Sequence, residues 1–388
     1  MKEGSFKVKK FFFPMLIIGI LYILSTYYIG HIIFEVISQF LSINLVLYWL
    51  IIGLISYSYI IFFFFNNKFS KRLNTILNYS GSYWMFFYGC MLIIFPITDL
   101  ILLFVKGAKN TANIQLSVGI LIFLVLVFIG NYNAKNSIVN KYNIYDDGEL
   151  TENLNIALVS DLHLGVVVNR KRLKKLVDEL NDLNPDIILI AGDLVDTEVD
   201  PFLKSNMAEE FKNLKPKYGT FAALGNHDLM KKREDDIIKV LTKNNVNILR
   251  DEAILINNSF YIIGRDDFII NRRGTERKTL ADISKDIDKS KYKIVIDHTP
   301  ISMKESNDEG FNLHVSGHTH KGQISPGSLI TKKMFEIDHG YLLKDTLNIF
   351  VSQGYGTWGP PLRLGSRSEI MNILVTPKSD IVNKEIII

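Results

Sequence analysis

Four long apolar segments occupy the first third of the 388-residue chain, and no other feature restricts its fold as strongly. They cover residues 11–30, 45–65, 83–105 and 116–130, and the fourth is the shortest. As helices, such segments can cross about 30 Å of hydrocarbon. A cleaved secretory signal is the alternative for the first segment, but no small-residue cleavage site stands out and further apolar segments follow. The sequence therefore predicts an all-α transmembrane region of about four helices at residues 1–131.

The basic residues beside these segments predict which side of the membrane each connection occupies, because short loops rich in lysine and arginine stay on the cytoplasmic side. They are Lys2, Lys7, Lys9 and Lys10 before the first segment, Lys68, Lys71 and Arg72 after the second, and Lys106 and Lys109 after the third. With four crossings, the richer groups place the C-terminal part at the cytoplasmic face of the cell membrane. One miscounted segment would reverse this orientation.

Charge and cysteine content exclude two classes of protein. The net charge of +4 is small for this length, and basic residues are mixed with acidic ones, so no nucleic-acid partner is expected. The single cysteine, Cys90, lies in the third apolar segment, which excludes an internal disulfide framework and leaves the compartment open. The sequence does not indicate an oligomeric state.

The chain changes character after the fourth apolar segment. Residues 132–154 are rich in Asn, Lys, Asp and Glu and are predicted to form a linker with a turn at residues 146–148. From residue 155 to 388, short runs rich in Ile and Val alternate with helical periodicity, which is typical of an α/β domain. The predicted strands are 156–159, 187–190, 220–224, 260–263, 293–296, 313–315 and 349–351.

The clearest predicted helix of this domain begins near Asn169, which can cap its N-terminus. Its apolar stripe consists of Leu173, Leu176, Val177, Leu180 and Leu183. The basic residues of its first two turns are assigned to the solvated face, and a lipid- or nucleic-acid-binding role is the alternative for them. They are Arg170, Lys171, Arg172, Lys174 and Lys175.

Five short segments carry the residues that point to chemistry. They are Asp161-Leu162-His163, Gly192-Asp193, Gly225-Asn226-His227-Asp228, His298 and Gly317-His318-Thr319-His320. Five of the eight histidines lie in them, which is hard to attribute to structural histidines alone. Carboxylate, imidazole and amide groups together suit divalent ions such as Mn, Fe or Zn. Because no paired cysteines are present, a catalytic site with open positions is favoured over a structural zinc site.

In this order, the five segments resemble the signature of the calcineurin-like metallophosphoesterase superfamily, and the resemblance covers about residues 151–375. The segments 160–165, 192–196 and 359–365 are similar to those of its bacterial membrane-associated phosphodiesterases. The resemblance implies a two-sheet β-sandwich flanked by helices. It also implies a metal-dependent phosphoester hydrolase in which a hydroxide bridging two divalent ions is the nucleophile.

The resemblance further implies a role for each matching residue. Asp161, His163 and His320 would bind the first ion, Asn226, His298 and His318 the second, and Asp193 both. His227 would donate a proton or hydrogen bond to the leaving-group oxygen, and Asp228 would orient its ring. Lys321 departs from the pattern, since relatives commonly carry two glycines before the glutamine. It could contact a substrate phosphate or point into solvent.

An anchored phosphoesterase would meet lipid-linked phosphates at high local concentration, so a phosphodiester or pyrophosphate at the bilayer is the expected substrate. Two alternatives stay open: a membrane-anchored phosphoprotein phosphatase, and a non-catalytic, metal-bound membrane sensor or scaffold. Asp99 in the third apolar segment suggests function or a partner, although it has no paired charge in the other segments.

Several other residues are expected to be structural. A solvated loop is favoured for the basic cluster of Arg272, Arg273, Arg277 and Lys278, with anionic headgroups as the alternative ligand. His314 is assigned to a strand, His339 to a turn, and Asp297 to the flank of His298. Trp358 is expected to close the domain, and a place at the substrate entrance is its alternative.

Overall fold

The structure, a computed structural model, describes residues 3–65, 69–105, 110–146 and 149–378. Lys2, Lys68, Lys106 and Lys109, which entered the orientation argument, lie outside the described residues, as do residues 147 and 148 of the expected turn. The chain divides into two compact units, Met1–Phe128 and Ile129–Ile388.

Long helices form the first unit, and their bounds are α1 Glu3–Ile37, α2 Leu45–Phe65, α3 Lys71–Leu102 and α4 Thr111–Lys135. Each is long and apolar enough, by length and composition, to cross a membrane. At most 22% of the residues in their most apolar stretches are buried within the structure. The prediction of four apolar helices is confirmed, and α4 extends further at both ends than the apolar run that predicted it.

Polar side chains inside the helical unit are matched with neutral partners. Asp99 accepts hydrogen bonds from the hydroxyl of Tyr28 and the amide of Gln115. The indole of Trp84 donates to the hydroxyl of Tyr22, which in turn donates to the backbone of α2. Because two neutral donors already bind the Asp99 carboxylate, a role in ion transport is not needed to explain a carboxylate in this apolar helix.

The second unit contains two six-stranded sheets. Its strands are β1 Ile138–Asp146, β2 Leu154–Val159, β3 Ile187–Ala191, β4 Gly219–Ala223, β5 Val246–Ile248, β6 Glu252–Ile256, β7 Phe260–Gly264, β8 Tyr292–Ile296, β9 Leu313–Ser316, β10 Gly340–Lys344, β11 Leu347–Val351 and β12 Glu369–Pro377. The first sheet has the order β1-β12-β2-β3-β4-β5, and the second β10-β11-β9-β8-β7-β6. All seven predicted strands are present.

Helices cover the two sheets. They are α5 Arg170–Asp182, α6 Val199–Lys204, α7 Asn226–Met230, α8 Glu234–Thr242, α9 Leu280–Ser284, α10 Met303–Asp308 and α11 Gly327–Met334, with 3₁₀ turns at Met207–Asn213, Phe268–Arg273 and His320–Gly322. In β2, Ile156 and Leu158 pack in the core shared with the second sheet, whereas Ala157 and Val159 pack in the core shared with α5. Successive side chains of a strand point to opposite faces, so burial of both faces explains its unbroken apolar run. The predicted two-sheet sandwich flanked by helices is confirmed.

Strand β1 lies within the segment predicted to be a linker. It pairs in parallel with β12, from Ile138 opposite Glu369 to Asp146 opposite Pro377. Its even-numbered side chains, including Tyr142 and Ile144, are the more buried ones. This period-2 pattern is hidden in the sequence because the polar Asn140 and Asp146 stand at inward positions, and Val139 and Tyr145 stand at outward ones.

Helix α5 matches its prediction, with Asn169 as the cap and Leu173, Leu176, Val177 and Leu180 buried. Its basic residues differ from one another. The guanidinium of Arg172 donates to the backbone oxygen of Tyr355 and the hydroxyl of Ser368, so the solvated-face interpretation is wrong for this residue. Lys171, Lys174 and Lys175 are exposed as expected.

Candidate metal centre

The five segments that carry the candidate site residues lie directly after the carboxyl ends of strands. Asp161 follows β2, Asp193 follows β3 and Asn226 follows β4, which are parallel neighbours in the first sheet. His298 and His318 follow β8 and β9, which are parallel neighbours in the second sheet. Since the carboxyl ends of parallel strands meet at one edge, each sheet brings its own chemical residues together, and the two sheets face each other across the site.

Most of these residues have a left-handed backbone. The φ angles are 52° at Asp161, 46° at His163, 51° at Asp193, 72° at His318 and 49° at His320. A non-glycine residue with positive φ costs on the order of 1 kcal/mol or more, and such strain concentrates at functional sites. Backbone hydrogen bonds between the loops hold this geometry, from Asp161 N to Gly192 O and from His163 N to Asp193 O.

Glycines allow the loops to approach each other closely. Gly192 has a φ of +81°, and a Cβ there would lie 2.5 Å from Nδ1 of His298. Gly225 and Gly317 do not have positive φ, but a Cβ would lie 2.2 Å from Oδ1 of Asp193 and 2.4 Å from Oδ2 of Asp161, respectively. Gly192 therefore supplies a left-handed bend, whereas Gly225 and Gly317 are needed for space.

The first group of donor atoms joins residues after β2, β3 and β9. Nε2 of His163 lies 3.1 Å from Nε2 of His320 and 3.8 Å from Oδ2 of Asp193. Nε2 of His320 lies 3.3 Å from Oδ1 of Asp161. These four side chains are at most 4% exposed, so their electron pairs face one another rather than water.

The second group joins residues after β3, β4, β8 and β9. Oδ1 of Asn226 lies 2.8 Å from Nδ1 of His318 and 3.1 Å from Nε2 of His298. Nε2 of His298 lies 3.3 Å from Oδ2 of Asp193. The other oxygen of Asp193 accepts a hydrogen bond from the backbone N–H of His227, which turns Oδ2 toward both groups.

The tautomer of His298 tests whether these atoms fit a metal ion. Its Nδ1 lies 2.8 Å from the carbonyl oxygen of Ala191, to which it can only donate, so Nε2 of the neutral ring carries a lone pair. This lone pair points at oxygens of Asp193 and Asn226, which repel it unless a positive charge lies between them. Burial lowers the pKa of His298, but the carboxylates of Asp193, Asp161 and Asp267 together outweigh it and raise this pKa well above its usual value. A divalent cation supplies the same positive charge, and the mixed oxygen and nitrogen donors fit Mn, Fe or Zn.

Comparison with known proteins agrees with this geometry. Residues 154–322 match the family model described as calcineurin-like phosphoesterase. An uncharacterized metallophosphoesterase of Campylobacter jejuni is 32% identical over 302 residues, which cover 76% of this chain and 78% of the relative. The chain belongs to the calcineurin-like metallophosphoesterase family.

Two further relatives differ in how much of their own length matches this chain. An uncharacterized metallophosphoesterase of Aquifex aeolicus is 32% identical over 264 residues, covering 66% of this chain and 99% of the relative. A protein of Danio rerio named transmembrane protein with metallophosphoesterase domain is 29% identical over 248 residues, covering 58% of this chain and 55% of the relative.

The metallophosphoesterase domain places His227 and Asp228 differently from the expectation. Both oxygens of Asp228 are used by backbone N–H groups, those of Leu194, Val195 and Gly225. Nδ1 of His227 instead lies 2.8 Å from the hydroxyl oxygen of Thr197. Asp228 is the third residue of α7, where a carboxylate reaches the unpaired N–H groups at the start of the helix. Burial and the nearby Asp193 raise the pKa of Asp228 to about 7.

Three residues near the site were not singled out from the sequence. Oδ1 of Asp196 lies 3.8 Å from Nδ1 of His227 and 4.0 Å from Nδ1 of His163. Thr197 follows it, and both come shortly after Asp193 in one loop. This proximity is the signal that could have found them.

Arg363 is the third. It is fully buried, and its guanidinium donates to the backbone oxygens of Gly354 and Gly356 and to the hydroxyl of Ser366. One of its nitrogens lies 3.2 Å from Nδ1 of His320, and burial lowers its pKa to about 9. Its signal in the sequence is the resemblance of residues 359–365 to the family, which assigned no role to Arg363.

The remaining conspicuous residues have structural partners. His314 is buried between the hydroxyls of Ser306 and Ser316, and His339 contacts its neighbour Asp338. The basic cluster differs from the expectation. Its Arg277 pairs with the buried Asp297, and its Arg273 pairs with Glu234, so the solvated-loop interpretation is wrong for these two arginines. Arg272 and Lys278 are exposed.

Proposed function

We propose that this metallophosphoesterase is a membrane-anchored phosphodiesterase whose pocket binds two divalent ions. The observation that carries the proposal is the position of Asp193. One of its oxygens is fixed by the backbone of His227, and the other lies within 4 Å of donor nitrogens in both groups, on His163 and His298. A carboxylate in this position fixes the spacing of two ions.

In this proposal the residues keep the roles expected from the sequence. Asp161, His163 and His320 hold one ion, Asn226, His298 and His318 hold the other, and Asp193 is shared. When bound, the ions neutralise the anionic phosphoryl oxygens and lower the pKa of the attacking water. The buried loops hold the donor atoms in place before substrate arrives, so little reorganisation is needed during the reaction.

His227 is the group of this site best placed to meet the leaving group. Its side chain is 23% exposed, whereas those of Asp193 and His163 are nearly buried. A hydroxyl proton donated by Thr197 to Nδ1 leaves the proton of the neutral ring on Nε2. Nε2 can then donate a hydrogen bond or a proton to the leaving-group oxygen. Asp228 supports this arrangement indirectly, because its carboxylate holds together the loops that carry Asp193 and His227.

The membrane anchor rests on four helices with the length and composition of membrane spans. An anchored domain meets lipid-linked phosphoesters at high local concentration, which makes them the proposed substrates. The excess of basic residues before the first apolar segment and between the second and third places the domain at the cytoplasmic face in this proposal. Protease accessibility of residues 149–378 in intact and permeabilised cells tests that orientation.

Purified full-length protein, stripped with a chelator and reloaded with Mn, Fe or Zn, tests the catalytic claim on a generic aryl phosphodiester and monoester. We expect turnover that depends on the added ion and is faster on the diester. Asp193→Asn and His227→Ala should each lower kcat about 100-fold or more, and only Asp193→Asn should change the bound ion content. His339→Ala is the matched control, because this histidine contacts only its neighbour Asp338 among the partners described.

Two results would contradict the proposal. One is folded, ion-loaded protein that turns over neither ester. The other is a phosphopeptide turned over faster than any phosphodiester, which would favour the phosphoprotein phosphatase. Ion binding without turnover on any phosphoester would favour the sensor or scaffold.

A further inference from the structure

Helix α11 carries apolar side chains that the domain does not bury. None of its eight residues is buried, and Leu329, Ile330 and Met334 are 63%, 62% and 67% exposed. At 100° per residue, Leu329, Ile330 and Lys333 share the outer face, with Met334 and Lys332 at its borders. Three large apolar side chains on one exposed helix are unusual for a soluble surface and mark an interaction site.

The opposite face of α11 is fixed to the turn that carries two proposed ion ligands. The hydroxyl of Thr331 donates to the carboxylate of Asp338, and the backbone oxygen of Asp338 accepts from the hydroxyl of Thr319, between His318 and His320. The ring of Phe335, directly after α11, lies 6.1 Å from the ring of His318. The helix is therefore a firmly attached neighbour of the site, on the side where His318 is only partly buried.

An exposed aromatic side chain, that of Trp358, is tied to the same loop. The backbone N–H of Trp358 donates to the side chain of Gln323, and that side chain donates back to the carbonyl oxygen of Trp358. The indole remains 49% exposed. Tryptophan is enriched at the boundary between lipid headgroups and hydrocarbon, where one part of its ring is wet and the other apolar.

We infer that α11 docks on an anionic bilayer surface, with Leu329, Ile330 and Met334 entering the headgroup boundary and Lys332 and Lys333 meeting the lipid charges. The composition is that of a short interfacial helix, since apolar side chains on one face are bordered by lysines. Charge complementarity identifies the occupant. An apolar protein groove would not require two exposed lysines beside the buried contact, whereas an anionic surface attracts both.

The inference deepens the proposed function and rests on it for its consequence. Docking of α11 places the partly exposed side of His318 at the level of the lipid headgroups. A phosphoester attached to a lipid then reaches the site without leaving the bilayer, and a soluble ester gains nothing from docking. The substrate class is therefore a phosphoester whose leaving or retained group is embedded in the membrane.

Docking is tested on the full chain in nanodiscs, with single cysteines at Leu329, Ile330 or Met334 in a Cys90→Ser background and an environment-sensitive dye on each. We expect blue-shifted emission and quenching by doxyl-labelled lipids in discs that contain phosphatidylglycerol. The matched control is Leu255→Cys, an exposed leucine on β6 at the opposite edge of the second sheet from β10. Its dye should emit as in water.

Lys332→Glu combined with Lys333→Glu tests the role of charge. We expect docking to anionic discs to weaken by about tenfold or more, because each basic residue near such a surface contributes on the order of 1 kcal/mol. Turnover of a soluble aryl phosphodiester should stay within about twofold of the parent, and turnover of a lipid-embedded phosphodiester should fall with docking.

The outcomes separate this inference from the proposed function. Dyes on α11 that report water in discs with and without phosphatidylglycerol, in protein that turns over the soluble diester, would overturn docking alone. A blue shift that grows with protein concentration and occurs without lipid quenching would identify a second copy of the chain as the occupant. Lipid quenching in protein without turnover would support docking and overturn the phosphodiesterase.

Discussion

The two units of the chain use their apolar residues in opposite ways. In the helical unit, few residues of the long continuous apolar segments are buried, and the exposed carboxylate of Asp99 accepts from two neutral donors. In the sandwich unit, short apolar strands are buried on both faces, and chemical side chains follow where the strands end. The first arrangement suits a region whose solvent is lipid, and the second a rigid scaffold that holds reactive groups.

The backbone shows the same contrast. Five proposed ion ligands of the sandwich unit have positive φ, and glycines beside them contact carboxylates or imidazoles. In the helical unit, Gly19, Gly53 and Gly89 lie in open space. Crowded glycines also occur in the helical unit, where a Cβ at Gly81 would lie 2.5 Å from the backbone nitrogen of Tyr59. The positive φ of five proposed ion ligands is what distinguishes the region that we propose to be catalytic, and the predictions below address this difference.

Substitution of glycine by alanine should have the largest effect of the four changes, and its result should depend on the space and the groups around each glycine. Gly225→Ala puts a Cβ 2.2 Å from Oδ1 of Asp193, so the shared carboxylate must move. Because a displacement of about 1 Å at a catalytic group can cost on the order of 100-fold, we expect kcat to fall by at least that factor, with reduced ion content measured by elemental analysis.

Gly89→Ala is the matched control for this substitution. Gly89 lies inside α3 with nothing within 4 Å of the place that the alanine methyl group would take, and alanine favours a helix over glycine by about 1 kcal/mol. Turnover should be unchanged and the thermal midpoint equal or higher. Equal losses of turnover in Gly225→Ala and Gly89→Ala would show that the effect is not specific to the proposed catalytic site.

Arg363 should give the next largest effect, mainly on stability. Its buried guanidinium holds the backbone oxygens of Gly354 and Gly356 beside His320. Arg363→Lys cannot reproduce this forked geometry, and we expect a loss of about 2–4 kcal/mol in the free energy of unfolding, measured by denaturant titration. Ion affinity measured by calorimetry should fall as well, because His320 loses its support.

The exposed Arg272 supplies the control, since Arg272→Lys should change neither quantity. A normal unfolding free energy in Arg363→Lys would mean that the arginine does not hold the loops together. Unchanged ion affinity in a destabilised variant would limit its role to packing.

These two cases show what the sequence could and could not predict. Asp161, Asp193 and His298 were predictable because apolar runs mark strands, and polar groups after parallel strands meet at one edge. The contacts of Arg363 and Thr197 were not predictable, since they join residues far apart in sequence, although both residues lie in or next to segments that carry the resemblance. Strand β1 was missed because the polar Asn140 and Asp146 stand at inward positions of its period-2 pattern. Asp228 was assigned to His227, whereas its oxygens accept from the backbone N–H groups of Leu194, Val195 and Gly225.

Thr197 should affect turnover without affecting the ions. Thr197→Val removes the hydroxyl 2.8 Å from Nδ1 of His227 and keeps the shape of the side chain. We expect kcat to fall by about tenfold because the ring loses its fixed orientation and tautomer, with ion stoichiometry and unfolding free energy nearly unchanged. Thr197→Ser, which keeps the hydroxyl, should recover most of the turnover. If serine and valine behave alike, Thr197 does not position His227.

Asp99 should give the smallest effect, and it is the sharpest test of the comparison because it is the residue of the helical unit that most resembles a functional group. Asp99→Asn keeps one acceptor oxygen, and both of its partners can reverse their roles, Tyr28 by accepting and Gln115 by turning its amide. We therefore expect a change of less than about 1 kcal/mol in stability and no change in turnover. Asp99→Leu removes the acceptor of Tyr28 and leaves the Gln115 amide with the backbone oxygen of Phe95, and it should cost about 1–3 kcal/mol, again without loss of turnover. A fall in kcat for Asp99→Asn in stably folded protein would mean that the helical unit takes part in the reaction, and the division between a lipid-solvated anchor and a catalytic scaffold would then be wrong.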